Sequence, residues 1–257
     1  MTDPALATLS GPELFARYAA PPNLLGYCGP EDTLLLHHLL EEPSPNGDDL
    51  IHAATLFDGA YPYLELIAGT NGHEPLDAEV VAAYWTGNRL LEGIDTLLWG
   101  NGLDDRFRSR AGGDWDAVAH SIIAGGVPNH AFHVFCVYPW VGLLRTGATT
   151  PALHVLDRCR IAWGEVVEAG EREAVVRSPR LRWVDGWLEL SPPEVDRFAV
   201  PPGTGGLAAG DIVSLHWEAV CERLNPHRLA TLRRYHNLHL AIANEKLNDV
   251  VAQNPLR

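Results

Sequence analysis

Two residue types that bind soft and borderline metals recur along this chain of 257 residues, which holds four cysteines and 12 histidines. A cysteine thiolate is a strongly electron-donating ligand, and a neutral imidazole is a good companion to it on one metal ion. Cys28, Cys136, Cys159 and Cys221 are widely scattered and form no CxxC pair, so they read as free thiols or single ligands, not as disulfides. Cys159 heads the strand-like run "CRIAWGEVVE", and His216 lies within "DIVSLHWEAV". By pattern alone Cys159 reads more simply as a small buried hydrophobe at a strand start. Alternation with Val213 and Leu215 leaves either face of a strand open to His216.

The weaker candidates lie in the first half. "LGYCGPED" sets Cys28 between Gly26, Gly29 and Pro30, a tight loop that would present a thiol near a helix N-terminus and lower its pKa. A structural cysteine in a turn is the plainer reading. "NHAFHVF" carries His130 and His133, which share a face in a helix and oppose each other in a strand. On a helix they make half a metal site, with Cys28 or His120 as a third ligand; core histidines are the plainer reading. His236 and His239 in "YHNLH" share one face of the last helix, near Arg228, Arg233 and Arg234. That is the one basic segment of an acidic chain, and it reads as a docking or solvated face. His37 and His38 are adjacent and cannot face one ligand from a helix.

Signatures of common enzymes are absent: there is no P-loop, G-x-G-x-x-G, G-x-S-x-G or H-E-x-x-H. "PPGTGGLAAGD" is glycine-rich but precedes a strand, which argues against phosphate cradling of the loop-to-helix kind. The formal net charge of −14 argues against a nucleic-acid backbone or an anionic membrane as main partner. Hydrophobic residues make up 46% and charged residues 20%, ordinary globular usage in a length that suits one large domain or two modest ones. The most apolar stretch, "HAFHVFCVYPWVGLL", is too short to span a bilayer, and no secretory signal is visible. The expectation is a soluble, cytoplasmic protein.

These residues need elements to position them. Up to about residue 145 the chain reads as helices. "SGPELFARYA" opens with a capping box, Ser10 and Glu13, with Pro12 in its first turn. "PEDTLLLHHLLEE" predicts a helix ended by Pro43, and "NGDDLIHAATLFDGA" and "YLELIAG" two more. "PLDAEVVAAYWTGNRLLEGI" predicts one long helix with Leu76, Val80, Ala83, Tyr84, Leu90 and Leu91 in a stripe. "GDWDAVAHSIIAGG" runs from Asp114 as cap to Gly125 as stop. After Thr146 the texture turns β-like: "ALHVLDRCRIAWGEVVE", "EAVVRS", "LRWVDGWLEL" with an Asp185-Gly186 hairpin turn, and "DIVSLHWEAV". Four or five short strands suggest a small barrel. "NPHRLATLRRYHNLHLAIANEKLNDVVA" is helical again, capped by Asn225 with Pro226 first. The predicted architecture is α+β: a helical domain over 1–148, then an OB-like small β-barrel with a C-terminal helix over 152–257.

The second part resembles the HypC/HupF family of [NiFe]-hydrogenase maturation chaperones. The resemblance rests on Cys159 followed by Gly164 and a β-branched strand, and on Gly210, Asp211, Val213 and His216 as a Gly-Asp-x-Val-x-x-His motif leading into a terminal helix. It covers roughly residues 157–250. In the family the cysteine stands at a processed amino terminus, whereas here it follows a whole helical region. The residue before the glycine, commonly proline, is Trp163 here, and "WEAV" follows the histidine.

The resemblance implies that Cys159 and His216 hold iron, as Fe(CN)2(CO) or its precursor, between a maturation scaffold and a hydrogenase large subunit. The two residues lie 57 positions apart, so only the first strand lying beside the late one brings them together. "ARYAAPPNLLGYCGPED" and "VPNHAFHVFCVYPWVGLL" resemble an uncharacterised family of actinobacterial hydrogenase gene clusters, which points the same way. Three functions follow as expectations: a non-enzymatic maturation chaperone, an enzyme of iron or diatomic-ligand metabolism with its site around Cys28, His130 and His133, or a metal-free specificity scaffold.

Overall fold

A computed structural model describes residues 9–41, 48–107, 115–145 and 147–253. Pro43 and Asp114, expected to end and to cap helices, lie outside them. Helix α1 (Gly11–Leu24) starts as its sequence dictates: the Ser10 side chain accepts from the Glu13 amide, and the Glu13 carboxylate accepts from the Ser10 amide at 2.9 Å. Its inner face, Leu14, Phe15, Tyr18 and Ala19, is buried. Helices α2 (Leu35–Glu41), α3 (Asp48–Thr55), α4 (Tyr61–Asn71) and α5 (Ala78–Trp85) follow.

The long helix expected over this last stretch breaks after Trp85. Gly87 has φ +81°, and the place of its missing Cβ lies 2.1 Å from Cδ2 of Tyr235, so the chain turns where only glycine fits. Leu90 and Leu91 enter the core from a separate 3-10 turn, Arg89–Leu91. Helices α6 (Thr96–Phe107), α7 (Trp115–Ile123) and α8 (His130–Phe132) come next, with α8 running on as a π-helical turn, His133–Val137. Then follow α9 (Trp140–Leu143) and α10 (Thr149–Cys159).

Helix α10 corrects the expectation of a strand here. Ala152, Val155, Leu156 and Cys159 recur at the i, i+3, i+4, i+7 spacing of one helical face, and all four are buried. Cys159 therefore ends a helix, and β1 (Ala162–Ala169) begins three residues later. The remaining strands are β2 (Glu173–Ser178), β3 (Leu181–Val184), β4 (Trp187–Leu190), β5 (Glu194–Ala199), β6 (Ile212–His216) and β7 (Ala219–Arg223). Five of them pair in the order β1-β2-β5-β7-β6, and β6 returns to pair with β1. The β5–β7 link is a single parallel bridge, Ala199 to Ala219. Strands β3 and β4 make a separate hairpin, turning at Asp185 and Gly186, both with positive φ. "DIVSLHWEAV" is two strands, because Trp217 takes φ +54° and turns the chain.

Helix α11 (Pro226–Gln253) closes the chain, with Asn225 Oδ1 accepting from the Arg228 amide at 2.9 Å as its cap. His236 and His239 are not on a solvated face, as the sequence suggested: both are buried, against Trp163 and Phe135 and against Phe132 respectively. The helix uses them as flat, mostly apolar side chains. The molecule is α+β, with N-terminal helices, a five-stranded sheet and a C-terminal helix. Val166, Val176, Phe198, Val213, Leu215 and Val220 form a small cluster within the sheet. A larger core runs from α1 to α11 and takes in Cys159, Ile161, Trp163, Trp217 and Cys221. Among the described residues no helix is long and apolar enough to cross a membrane.

Candidate metal centre

The pairing of β1 with β6 aligns Ala162 with Leu215, and the ladder continues past β1 through the Trp217 amide donating to the Arg158 carbonyl at 2.8 Å. Residues 158–162 therefore run beside 215–217, which sets Cys159 next to His216. Val213 and Leu215 point into the sheet's own cluster, so Ser214 and His216 face the opposite way, onto α1. There the Ser214 hydroxyl meets the Tyr18 hydroxyl at 2.8 Å, and His216 Nδ1 donates to the Tyr18 carbonyl at 2.6 Å. A third group arrives from α8. Asn129 caps that helix by accepting from the Ala131 amide and is anchored by donating to the Ala83 and Tyr84 carbonyls at the end of α5. His130, the next residue, is thereby aimed at the junction of α10 and β1.

The result is a cluster of His130, Cys159 and His216, all buried, with one potential ligand atom from each lying within 4.8 Å of the others. His130 Nε2 is 4.0 Å from Cys159 Sγ and 2.8 Å from the Cys159 carbonyl oxygen. A carbonyl only accepts, so Nε2 of His130 carries the proton, and the neutral ring takes a hydrogen bond on Nδ1 from the Tyr84 hydroxyl at 3.1 Å. His216 has the opposite tautomer. Its Nδ1 proton is committed to Tyr18, and its Nε2 is buried with no hydrogen-bond partner among the described residues. Trp85 walls the cluster, its ring 4.7 Å from His130 and 5.6 Å from His216, while stacking on Tyr18 at 5.2 Å.

Burial sets the charge states. It holds His130 at about 4 and, with His130 beside it, His216 at about 3, so both rings are neutral near pH 7. Burial also drives the Cys159 thiol well above its ordinary range. Without a cation the cluster is two neutral imidazoles and a protonated thiol. A metal ion would replace that thiol proton, because only the thiolate ligates. The donor set fits in kind. Ligand atoms on one tetrahedral ion with bonds of ~2.0–2.3 Å stand roughly 3.3–3.6 Å apart, so the group, at 4.0 Å between Sγ and Nε2 and within 4.8 Å overall, would contract around the ion. One sulfur and two nitrogens suit borderline ions such as iron(II) or zinc(II).

The other candidates stand apart from this group. Cys28 is half-buried, and burial pushes its thiol up to about 12, the reverse of the activation its loop suggested. The loop is pinned, but by Asn23 Nδ2 donating to the Cys28 and Pro30 carbonyls, and Tyr27 beside it stacks on Trp217. His133 is buried, with Nδ1 at 2.9 Å from the Tyr63 hydroxyl and its ring against Tyr138. His120 is exposed on α7. Cys136 is buried in the core, where its thiol is pushed up to about 12. Sequence reasoning did not reach Tyr18, Asn129 or Trp85, and it read Tyr84 only as part of an apolar stripe. The one local signal was Asn129 in front of a short apolar helix, a cap position.

The motif residues divide by task. Gly164 lies where a Cβ would meet Val176 Cγ1 at 2.4 Å and the Arg177 carbonyl at 2.8 Å, and Gly210 takes φ +92°. Asp211 ties the same turn by accepting from the Ala208 amide at 2.8 Å and pairing with Arg223 at 3.2 Å. Gly164 lets β1 lie close on β2, and Gly210 and Asp211 shape the turn that leads into β6; Cys159 and His216 carry the chemistry.

A family model described as a family of unknown function, DUF6390, matches residues 7–250, so the chain belongs to that family. No curated protein and no solved structure matches the chain.

Proposed function

We propose that this member of DUF6390 is a maturation chaperone of [NiFe]-hydrogenases that holds iron, as Fe(CN)2(CO) or its precursor, on Cys159, His216 and His130. The reading rests on one observation above the others. The two residues picked out by the resemblance, 57 positions apart, lie together, with His216 Nε2 unpartnered among the described residues and the His130 imidazole alongside. A thiolate and neutral imidazoles suit low-valent iron that already carries strong π-acceptor ligands. In this reading residues 157–250 are an OB-like small barrel with a docking helix. The helical part closes over the cargo, supplying His130 and the Trp85 wall, and a hydrogenase large subunit or assembly scaffold is the partner. The site of such a protein is cytoplasmic, where cofactor assembly takes place.

Burial gives the carriage a different character from that of a mobile terminal cysteine. Cys159 is 9% exposed. Loading and release would therefore involve displacement of the side chains that bury it. The test is infrared spectroscopy on full-length protein purified anaerobically from its native host. Cyanide and CO bands on iron, present in wild type and lost in Cys159→Ala, are the expected result. A hydrogenase subunit that co-purifies with protein lacking those bands would leave a metal-free specificity scaffold instead.

A further inference from the structure

The second distinctive place in the molecule is a cleft of about 1180 Å³. It lies between α1, α5, the glycine-rich turn at 203–206, the end of β7 and the first turns of α11. Five arginines line it. Four have a carboxylate partner: Arg89 with Glu79, Arg234 with Glu92, Arg228 with Glu222 and Arg223 with Asp211. Arg17 has none within ion-pair distance among the described residues, yet it is only 6% exposed. Its one hydrogen bond is from Nη1 to the Thr204 hydroxyl at 3.1 Å, and its Nε is buried without a partner among the described residues.

A buried guanidinium with an empty donor is costly unless something completes it. Nothing apolar would do so, and the planar fork of donors matches an oxyanion. The surroundings are built for close approach. Gly203 (φ +74°) lies against Arg17, its absent Cβ 2.8 Å from Nη2, and Gly205 also takes positive φ (+81°). Within the turn the Thr204 amide and hydroxyl both donate to the Pro201 carbonyl, at 3.2 Å and 2.6 Å, which fixes the hydroxyl oxygen as the acceptor for Arg17. Leu9, Leu14, Ala82 and Tyr235 supply apolar lining for the rest of a ligand.

We infer that this cleft binds a small organic oxyanion, its phosphate or carboxylate group held by Arg17, which the Thr204 hydroxyl of the turn at residues 203–206 orients. Arg17 faces the cleft, while Tyr18, the next residue, holds His216 through its carbonyl and reaches the cleft-lining Glu222 through its hydroxyl. The experiment is calorimetric titration of the full chain with inorganic pyrophosphate and, in a parallel arm, with citrate, at constant ionic strength. Saturable binding of one equivalent of either probe is expected, and the arm that binds identifies the oxyanion. Arg17→Gln should weaken it at least tenfold. Since Arg17 is buried, Thr204→Val serves as the second variant; it keeps the cation but loses the hydroxyl that orients it, and a three- to tenfold loss is expected. Absence of saturable binding by either probe overturns the inference. So does binding that a folded Arg17→Gln, or Thr204→Val if the former does not fold, leaves unchanged.

Discussion

Nε2 of His130 sits 2.8 Å from the Cys159 carbonyl and 4.0 Å from the same residue's sulfur, so the ring nitrogen that would face a metal is the one the resting protein uses to hold the backbone. For His130 to ligate through Nε2, its proton must move to Nδ1, and the Tyr84 hydroxyl must then accept where it previously donated. A hydroxyl does both. His216 needs no such exchange, because Nδ1–H to Tyr18 already leaves Nε2 with its lone pair free.

One proton should therefore leave per metal ion, from Cys159. Both imidazoles are neutral at pH 7, with pKa values held at about 4 and about 3, and the His130 exchange is internal. Affinity should rise roughly tenfold per pH unit through the neutral range, since the thiol remains protonated there in the metal-free protein. Calorimetry with cobalt(II) or zinc(II) in buffers of different ionisation enthalpy reads the proton count directly. Zero or two protons would contradict this ligand set, and Cys159→Ser should remove the sulfur-to-cobalt charge-transfer band.

Tyr84→Phe tests the exchange at His130. The variant leaves Nδ1 of His130 without its buried partner, so we expect a tenfold to hundredfold loss of metal affinity, the usual range for removing the group that orients a ligating histidine. Stability should fall by about 1–3 kcal/mol from the unsatisfied nitrogen. Unchanged cobalt affinity in a folded Tyr84→Phe protein would remove His130 from the ligand set and leave a Cys159–His216 pair.

Much of this was legible in the sequence, and the parts that were not share a cause. The capping box at Ser10, the Asp185-Gly186 turn and the Asn225-Pro226 start are local signals that the structure keeps. The break at Gly87 is decided by Tyr235, 148 positions away, which no window on the helix contains. Strand β5 went unread because only Phe198 of "EVDRFA" is buried and its other positions are mostly charged, so no apolar alternation marks it. Cys159 was read as strand because its helical face of Ala152, Val155 and Leu156 is rich enough in apolar residues to suit both periods. Cys159 and His216 emerged from motif order, whereas His130 joins them through tertiary packing alone.

Acid should unfold the protein sharply. His130 is held at about 4, and His133, His216, His236 and His239 at about 3, each mainly by burial. The unfolded chain protonates these rings near pH 6.5, so between that value and pH 3–4 it holds more protons than the folded chain, and falling pH favours unfolding. Each ring contributes about 1.4 kcal/mol per pH unit across that window. Five together are enough to exhaust a typical stability of roughly 5–15 kcal/mol within two to three pH units. Far-UV circular dichroism against pH should show a cooperative loss between about pH 6 and pH 4. A melting temperature unchanged from pH 7 to pH 4 would show that these rings are not held neutral.

The two motif glycines should fail for different reasons, which separates their roles from that of the ligands. Gly164→Ala places a methyl 2.4 Å from Val176 Cγ1 and 2.8 Å from the Arg177 carbonyl, inside the β1–β2 pairing, and backbone cannot yield as a side-chain tip does. Overpacking of this kind costs about 1–3 kcal/mol, and the shift of β1 would carry the 158–162 segment away from β6. Gly210→Ala meets nothing within 4 Å and incurs only the strain of φ +92° on an L-residue, about 1–2 kcal/mol, at a turn that does not touch the cluster. Urea denaturation with a cobalt titration on each variant distinguishes them. Gly164→Ala should lose both stability and metal affinity, and Gly210→Ala stability alone. Equal loss of cobalt affinity in the two would mean that the cluster depends on the 208–211 turn directly, and not on the alignment of β1 with β6.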